Sequence, residues 1–146
     1  AEAVEFMLAA NPGEGTEPLR RVASGGEAAR ILLALRGALA VRQSTPTLVF
    51  DEVDAGVGGR LGPQVAAHLG ALGEHHQVIA VTHLPSIAAA ATRHLRVAKD
   101  VTDGRTRTKT GSLSGDERVA EVADMIAGGA EQETARAEAR RLLGID

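Results

Sequence analysis

Two short apolar runs, each closed by polar residues, constrain this chain more than any other feature. Thr47-Leu48-Val49-Phe50 ends in Asp51-Glu52, and Val78-Ile79-Ala80-Val81 ends in Thr82-His83. Neither run alternates polar with apolar residues, so each reads as a strand buried on both faces in a parallel sheet, with its polar end at the sheet's edge. Between them Leu61, Val65, Leu69 and Leu72 recur at intervals of three and four, one apolar stripe on a helix. Strand, helix, strand in that order calls for a right-handed crossover, and such a sheet gathers its functional groups where the strands end. Asp51, Glu52 and His83 are therefore expected to converge at one C-terminal sheet edge.

The flanking sequence extends this pattern. Val4-Glu5-Phe6-Met7-Leu8 reads as a strand, Asn11-Pro12-Gly13-Glu14-Gly15 as a turn, and the chain to about Ala23 as a loop. From Glu27 to about Arg42, Ala28, Ile31, Leu32, Leu35 and Leu39 form a helical stripe. Residues 94–99 and 105–110 flank a Val-Thr-Asp-Gly turn, the pattern of an exposed antiparallel hairpin added to the sheet's edge. Ser114 and Glu117 have the spacing of a capping box, and Val119, Val122, Ala123 and Ile126 continue a helical stripe that Gly128-Gly129 ends. Residues 130–143 read as a last helix. The expected fold is α/β, a mostly parallel sheet with flanking helices, in a single domain spanning 1–146.

Composition narrows the chemistry. With 146 residues, 44% of them hydrophobic, and a net charge of −3, the chain can build one domain with a real core and reads as soluble. Having no cysteine, it excludes disulfides, thiolate metal sites and thiol nucleophiles, which fits a reducing, cytoplasmic interior. No apolar stretch is long enough for a membrane span, and Glu2 and Glu5 stand where an export signal would be basic, so nothing is expected to be exported or anchored. Phe6 and Phe50 are the only aromatic residues, so the chain cannot build a stacking platform for bases, and any nucleic-acid contact would be to phosphates.

Three constellations carry candidate chemistry. Ser24-Gly25-Gly26 stands where the helix of residues 27–42 begins; free backbone N–H groups with no side chains in front of them suit a phosphate, while a plain serine cap is the structural alternative. The pair Asp51-Glu52 can hold a hydrated Mg²⁺ and orient a water for attack on a phosphoryl group, or it is a solvated strand end. His83 closes the next strand. Two further groups were weighed. His68 and His75 share a helical face, but with His76 and His83 they lack the Cys or H-E-x-x-H that zinc chemistry would bring, and surface and site roles are preferred. Arg105, Arg107 and Lys109 alternate along one strand, which suits either DNA phosphates or protection of a sheet edge, the latter being preferred.

The stretches "VASGGEAARILLAL", "TLVFDEVDAG" and "VIAVTHLPSIAAAA" resemble, in this order, the signature motif, the Walker B strand and the switch-histidine segment of ABC-type ATPase heads. The likeness spans about residues 4–143 and is sharpest from Val22 to Pro85, and it is closest to the DNA-repair members of the SMC-like group. The resemblance implies a P-loop NTPase-like fold, with ATP and Mg²⁺ as cofactors. It implies that Ser24, Gly25 and Gly26 contact the γ-phosphate of an ATP held by a second head, that Asp51 holds Mg²⁺ through water, that Glu52 is the general base, and that His83 senses the γ-phosphate. No G-x-x-x-x-G-K-[ST] occurs in the chain. The resemblance therefore implies half a head, the C-terminal lobe, inactive alone and completed by a Walker A half from the other side of a coiled coil. Its expected partners are that half, a second head in an ATP-dependent dimer, and DNA through the complete protein, in the nucleoid-associated cytoplasm. SMC relatives place an aspartate where this chain has Gly58, with Asp54 close enough to substitute in part. Two readings from other classes stay open at this level: a non-catalytic interaction or DNA-binding module, and a metal-dependent phosphohydrolase using Asp51, Glu52 and Asp54.

Overall fold

The computed structural model describes residues 4–9, 13, 15–22, 31, 33–35, 37, 47–55, 59–102, 105–128 and 133–145. They fall into two compact units, Ala1–Thr82 and His83–Asp146. In the first unit, β1 (Met7–Leu8) pairs antiparallel with β2 (Glu17–Pro18), and the single turn α1 (Leu19–Val22) follows. Gly13, at φ 90°, takes a backbone conformation in the connection that a side chain would oppose. The Leu19 N–H donates to the Phe6 carbonyl at 2.8 Å. The expected loop thus contains a short strand and a helical turn, too brief to leave a periodic signal in the sequence. Residues 31, 33–35 and 37 are helical, inside the expected helix.

The central expectation holds. β3 (Thr47–Phe50) and β4 (Gln77–Ala80) are parallel, in the register Thr47↔Gln77 to Phe50↔Ala80. They are joined through a 3-10 turn (Gly59–Leu61) and the crossover helix α2 (Gly62–Gly73), which Pro63 helps to start and which buries Val65, Ala66, Leu69 and Leu72. Near Gly37 the chain runs close to α2: a Cβ there would stand 3.2 Å from His68 Nε2 and 3.6 Å from Leu72 Cδ2.

One expectation is corrected. The strands are not covered on both faces: Phe50 is buried, but Val49 and its register partner Ile79 are 54% and 46% exposed, and Val81 is 52% exposed. Among the described residues this parallel pair has no third strand. A wider, mostly parallel sheet is therefore not present among them.

The second unit is built on small side chains. Helix α3 (Pro85–Ala90) leads into the hairpin β5 (His94–Thr102) and β6 (Arg105–Leu113), then α4 (Gly115–Ala127) and α5 (Glu133–Leu143). Val119, Val122, Ala123, Ala135 and Ala139 make its core, with Ala89, Ile126, Leu142 and Leu143 packed around them. Alanines on both helices let α4 and α5 approach closely, so even one added methylene would be felt. The hairpin is exposed, as expected, and each strand runs three residues past the C-terminal limit of the pattern; among the described residues its strands pair only with each other, and the expected addition to a sheet's edge is not seen. Ser114 stands at the N-cap of α4 in extended conformation without a side-chain capping bond, so the capping box does not form. Gly128 closes α4 in the left-handed conformation, φ 64°, its N–H bonded to the Asp124 carbonyl. No described helix is long and apolar enough to cross a membrane.

Candidate active site

Asp51 and Glu52 come together where β3 ends, and both carboxylates are exposed. The strands stay paired just past the ladder, since the Val81 N–H donates to the Phe50 carbonyl at 2.9 Å and the Val53 N–H to the Val81 carbonyl at 3.4 Å. The chain then turns sharply, with the Ala55 N–H bonded to the Glu52 carbonyl at 2.9 Å. Glu52 is the one non-glycine residue with positive φ among those described, at 49°. Side chains are strained there by roughly 1–2 kcal/mol, because Cβ crowds the following carbonyl oxygen. The two residues that follow anchor the turn: Val53 is buried, and Asp54 is only 2% exposed. The Thr82 hydroxyl donates to Asp54 Oδ2 at 2.5 Å, tying the turn to the second residue after β4.

Asp54 is thus a structural carboxylate. Buried and held by Thr82, it cannot join Asp51 and Glu52 in an open metal-binding trio, nor present itself to a partner in place of an aspartate at position 58. Both ideas drawn from the sequence are corrected by its burial. Nothing in the residue pattern signals this role, because Asp54 and Thr82 lie 28 positions apart.

The other predicted residues fall elsewhere. Ser24, Gly25, Gly26 and Gly58 lie outside the described residues. His83 is exposed and opens the second unit, directly before Leu84 and α3. That helix starts on Pro85 with Leu84 extended, as a residue before proline prefers. Its last turn is gripped by Arg118 of α4, whose Nη2 donates to the carbonyls of Ala89 at 3.0 Å and Ala91 at 2.5 Å. A guanidinium at a helix C-terminus satisfies carbonyls that have no partner in the helix and complements the dipole there. No pattern of residues indicates this clamp. Beside it, Arg96 pairs with Glu121 at 3.0 Å. Burial depresses the pKa of His94 below the ordinary imidazole range, Arg118 adds to the effect, and Glu121 opposes it.

The adjacent exposed carboxylates at the end of a parallel strand are a donor set suited to a hydrated divalent cation and to activating water, which is the chemistry of phosphoryl transfer. No family model matches the chain. Three curated proteins named DNA repair protein RecN are similar to it: that of Treponema pallidum, 46% identical over 96% of this chain and 24% of that protein; that of Xylella fastidiosa strain 9a5c, 46% over 98% and 26%; and that of Mycobacterium leprae, 49% over 96% and 24%. The chain spans about a quarter of the length of these relatives. Among solved structures, one described by the ATP-driven dimerization and DNA-stimulated activation of SMC ATPases superposes with a TM-score of 0.59 at 22% identity, covering 86% of this chain and 81% of that one. That likeness shows a shared fold, compatible with the α/β class expected from the sequence.

Proposed function

We propose, on the premise that this chain is homologous over nearly its whole length to about a quarter of DNA repair protein RecN, that it is the C-terminal lobe of an SMC-type ATPase head. The complete protein would bind and hydrolyse ATP between paired heads in the repair of DNA double-strand breaks, in the nucleoid-associated cytoplasm. Residues 1–146 would act as one lobe of a P-loop NTPase-like head with a mostly parallel sheet. The observation that carries this reading is the pairing of an open carboxylate edge with an open apolar face on the same two strands. Val49, Ile79 and Val81 are half-exposed on strands whose ends bear Asp51 and Glu52. Parallel sheets are covered on both faces in stable proteins, and two strands alone do not make an independent sheet. The cover is supplied by the half of the head that carries Walker A.

In this reading Glu52 takes a proton from the attacking water. Asp51 holds Mg²⁺ through water, and the ion, when bound, offsets negative charge on the phosphates. His83 hydrogen-bonds the γ-phosphate. Ser24, Gly25 and Gly26 offer a hydroxyl and backbone N–H groups to the γ-phosphate of the ATP on a facing head, which makes the head dimer ATP-dependent. The left-handed backbone at Glu52 supports its role, because strain of this kind is retained where a position is fixed for chemistry.

The test uses the complete protein. Glu52→Gln keeps size and hydrogen bonding but removes the base, so ATP still binds, heads persist as a dimer on size-exclusion chromatography, and turnover falls by about 10²–10⁴. Ser24→Arg blocks the facing phosphate, leaving a head that binds nucleotide and stays monomeric. If the two variants behave alike, or Glu52→Gln keeps near-normal turnover, the motifs are a non-catalytic platform and these roles fall.

A further inference from the structure

Positive charge in this chain is segregated onto the hairpin. Residues 94–113 hold five Lys and Arg (Arg96, Lys99, Arg105, Arg107, Lys109) against two carboxylates (Asp100, Asp103), a net of +3. The whole chain has a net charge of −3, so everything outside the hairpin carries −6. The register sorts these cations by face. Arg105 pairs with Thr102, Arg107 with Asp100, Lys109 with Ala98 and Gly111 with Arg96, so these residues share one face of the ribbon. The other face is Leu95, Val97, Lys99 and Val101 opposite Ser112, Thr110, Thr108 and Thr106, uncharged but for one lysine, with Leu95, Val97 and Val101 61%, 66% and 69% exposed. On the cationic face Lys109 bonds Asp100 at 3.0 Å and Arg96 bonds Glu121 at 3.0 Å. Arg105 and Arg107 make no ion pair among the described residues, and both are exposed.

We infer that this face of the hairpin binds the phosphodiester backbone of duplex DNA, with Arg105 and Arg107 as the principal contacts and Lys109 beside them. Alternate residues of a strand stand about 6.8 Å apart, twice the rise of about 3.4 Å per nucleotide along one strand of the duplex, so the row keeps step with the phosphates. Arginine's planar fork suits phosphate oxygens better than a lysine point charge does. The ribbon carries no aromatic side chain, so it has nothing on which to stack an unpaired base, which favours duplex backbone over single strands. Edge protection alone accounts for these charges poorly. Blocking strand pairing needs no particular arrangement of charge by face, whereas here four of the five hairpin cations share one face while the rest of the chain is acidic. The inference rests on the reading of the complete protein as acting on DNA, but not on its ATP chemistry.

The experiment measures binding of the complete protein to duplex and single-stranded oligonucleotides of one sequence, by fluorescence anisotropy, across about 50–200 mM salt. The test variant is Arg105→Ala with Arg107→Ala. A charge-matched control places Thr106→Glu and Thr108→Glu on the opposite face of the same strand. Losing two phosphate contacts lowers the slope of log affinity against log salt by about 1.8 for duplex, so the affinity lost across that fourfold salt range becomes about 12-fold smaller than in the parent protein. The control keeps a slope closer to the parent's, Arg105→Lys with Arg107→Lys restores most of the slope, and ATP hydrolysis without DNA is unchanged in all of them. An unchanged duplex slope in the alanine variant overturns the inference. So does an equal fall in the control, which would mark a general charge effect, or a loss confined to single strands. Should the parent show no ATP hydrolysis yet the duplex slopes separate as stated, the head reading fails while the DNA surface stands.

Discussion

Replacing Glu52 with glycine should make the complete protein more stable and nearly inactive at once. The residue holds φ at 49°, a conformation that costs a side chain about 1–2 kcal/mol and a glycine nothing. Against this, glycine loses about 0.5–1 kcal/mol more conformational entropy on folding than alanine does. The appropriate comparison is therefore Glu52→Gly with Glu52→Ala. Both remove the same exposed carboxylate, and only one relieves the backbone. The balance favours glycine by about 0.5–1 kcal/mol, which for a head of roughly 300 residues, twice this lobe, raises the melting midpoint by about 1–2 °C. Differential scanning calorimetry of the two variants reads this directly, alongside phosphate release, which should fall by about 10²–10⁴ in both. A glycine variant that melts with the alanine variant, or below it, refutes the claim that the turn holds Glu52 under strain. A glycine variant that keeps turnover refutes its role as the base.

Three further outcomes follow from the second unit. Arg118→Met keeps most of the side-chain volume but strips the carbonyls of Ala89 and Ala91 of their donor; hydrogen exchange of the α3 amides should accelerate, and an unchanged rate would mean the clamp adds nothing. Val122 is fully buried, so Val122→Ala should cost about 2–3 kcal/mol in urea unfolding, two lost carbons plus the cavity they leave. Burial and Arg118 lower the His94 pKa in the fold, so the unfolded chain takes up the proton first as pH falls. The neutral imidazole's contribution is complete above the unfolded value of about 6.5 and is lost as pH drops through the lower folded value. Unfolding midpoints measured between about pH 7.5 and 5 should fall more steeply in the parent than in His94→Gln, and equal slopes would remove His94 as the cause.

How much of this was legible in the sequence depends on the length of the signal. The crossover helix and both strands of the parallel pair were readable because four leucine-and-valine positions at helical spacing separate two unbroken apolar runs. The hairpin was readable from Asp103-Gly104 between two β-rich stretches. Burial on both strand faces was a misreading with a clear cause. On the proposed reading, apolar character at Val49, Ile79 and Val81 records packing against the other half of the head, and a sequence cannot say whether such cover lies in the same chain. Asp54 and Arg118 were missed for the opposite reason. Each is a charged residue whose partner is fixed only by tertiary geometry, a threonine 28 positions away in one case and the end of a separate helix in the other. The carboxylate pair was found because it is adjacent in sequence, so no folding was needed to bring it together.

The open face of β3 and β4 also determines which substitutions the chain can tolerate in which setting. Expressed by itself and screened for solubility, this sequence would be improved by polar replacements at Val49, Ile79 and Val81, since each removes apolar surface from water at no cost to the chain's own packing. Selected for survival of DNA damage in the complete protein, the same positions would admit almost nothing but aliphatic residues. Two mutational scans of one sequence would thus disagree at these positions above all others, and the map of their disagreement would outline the missing neighbour residue by residue.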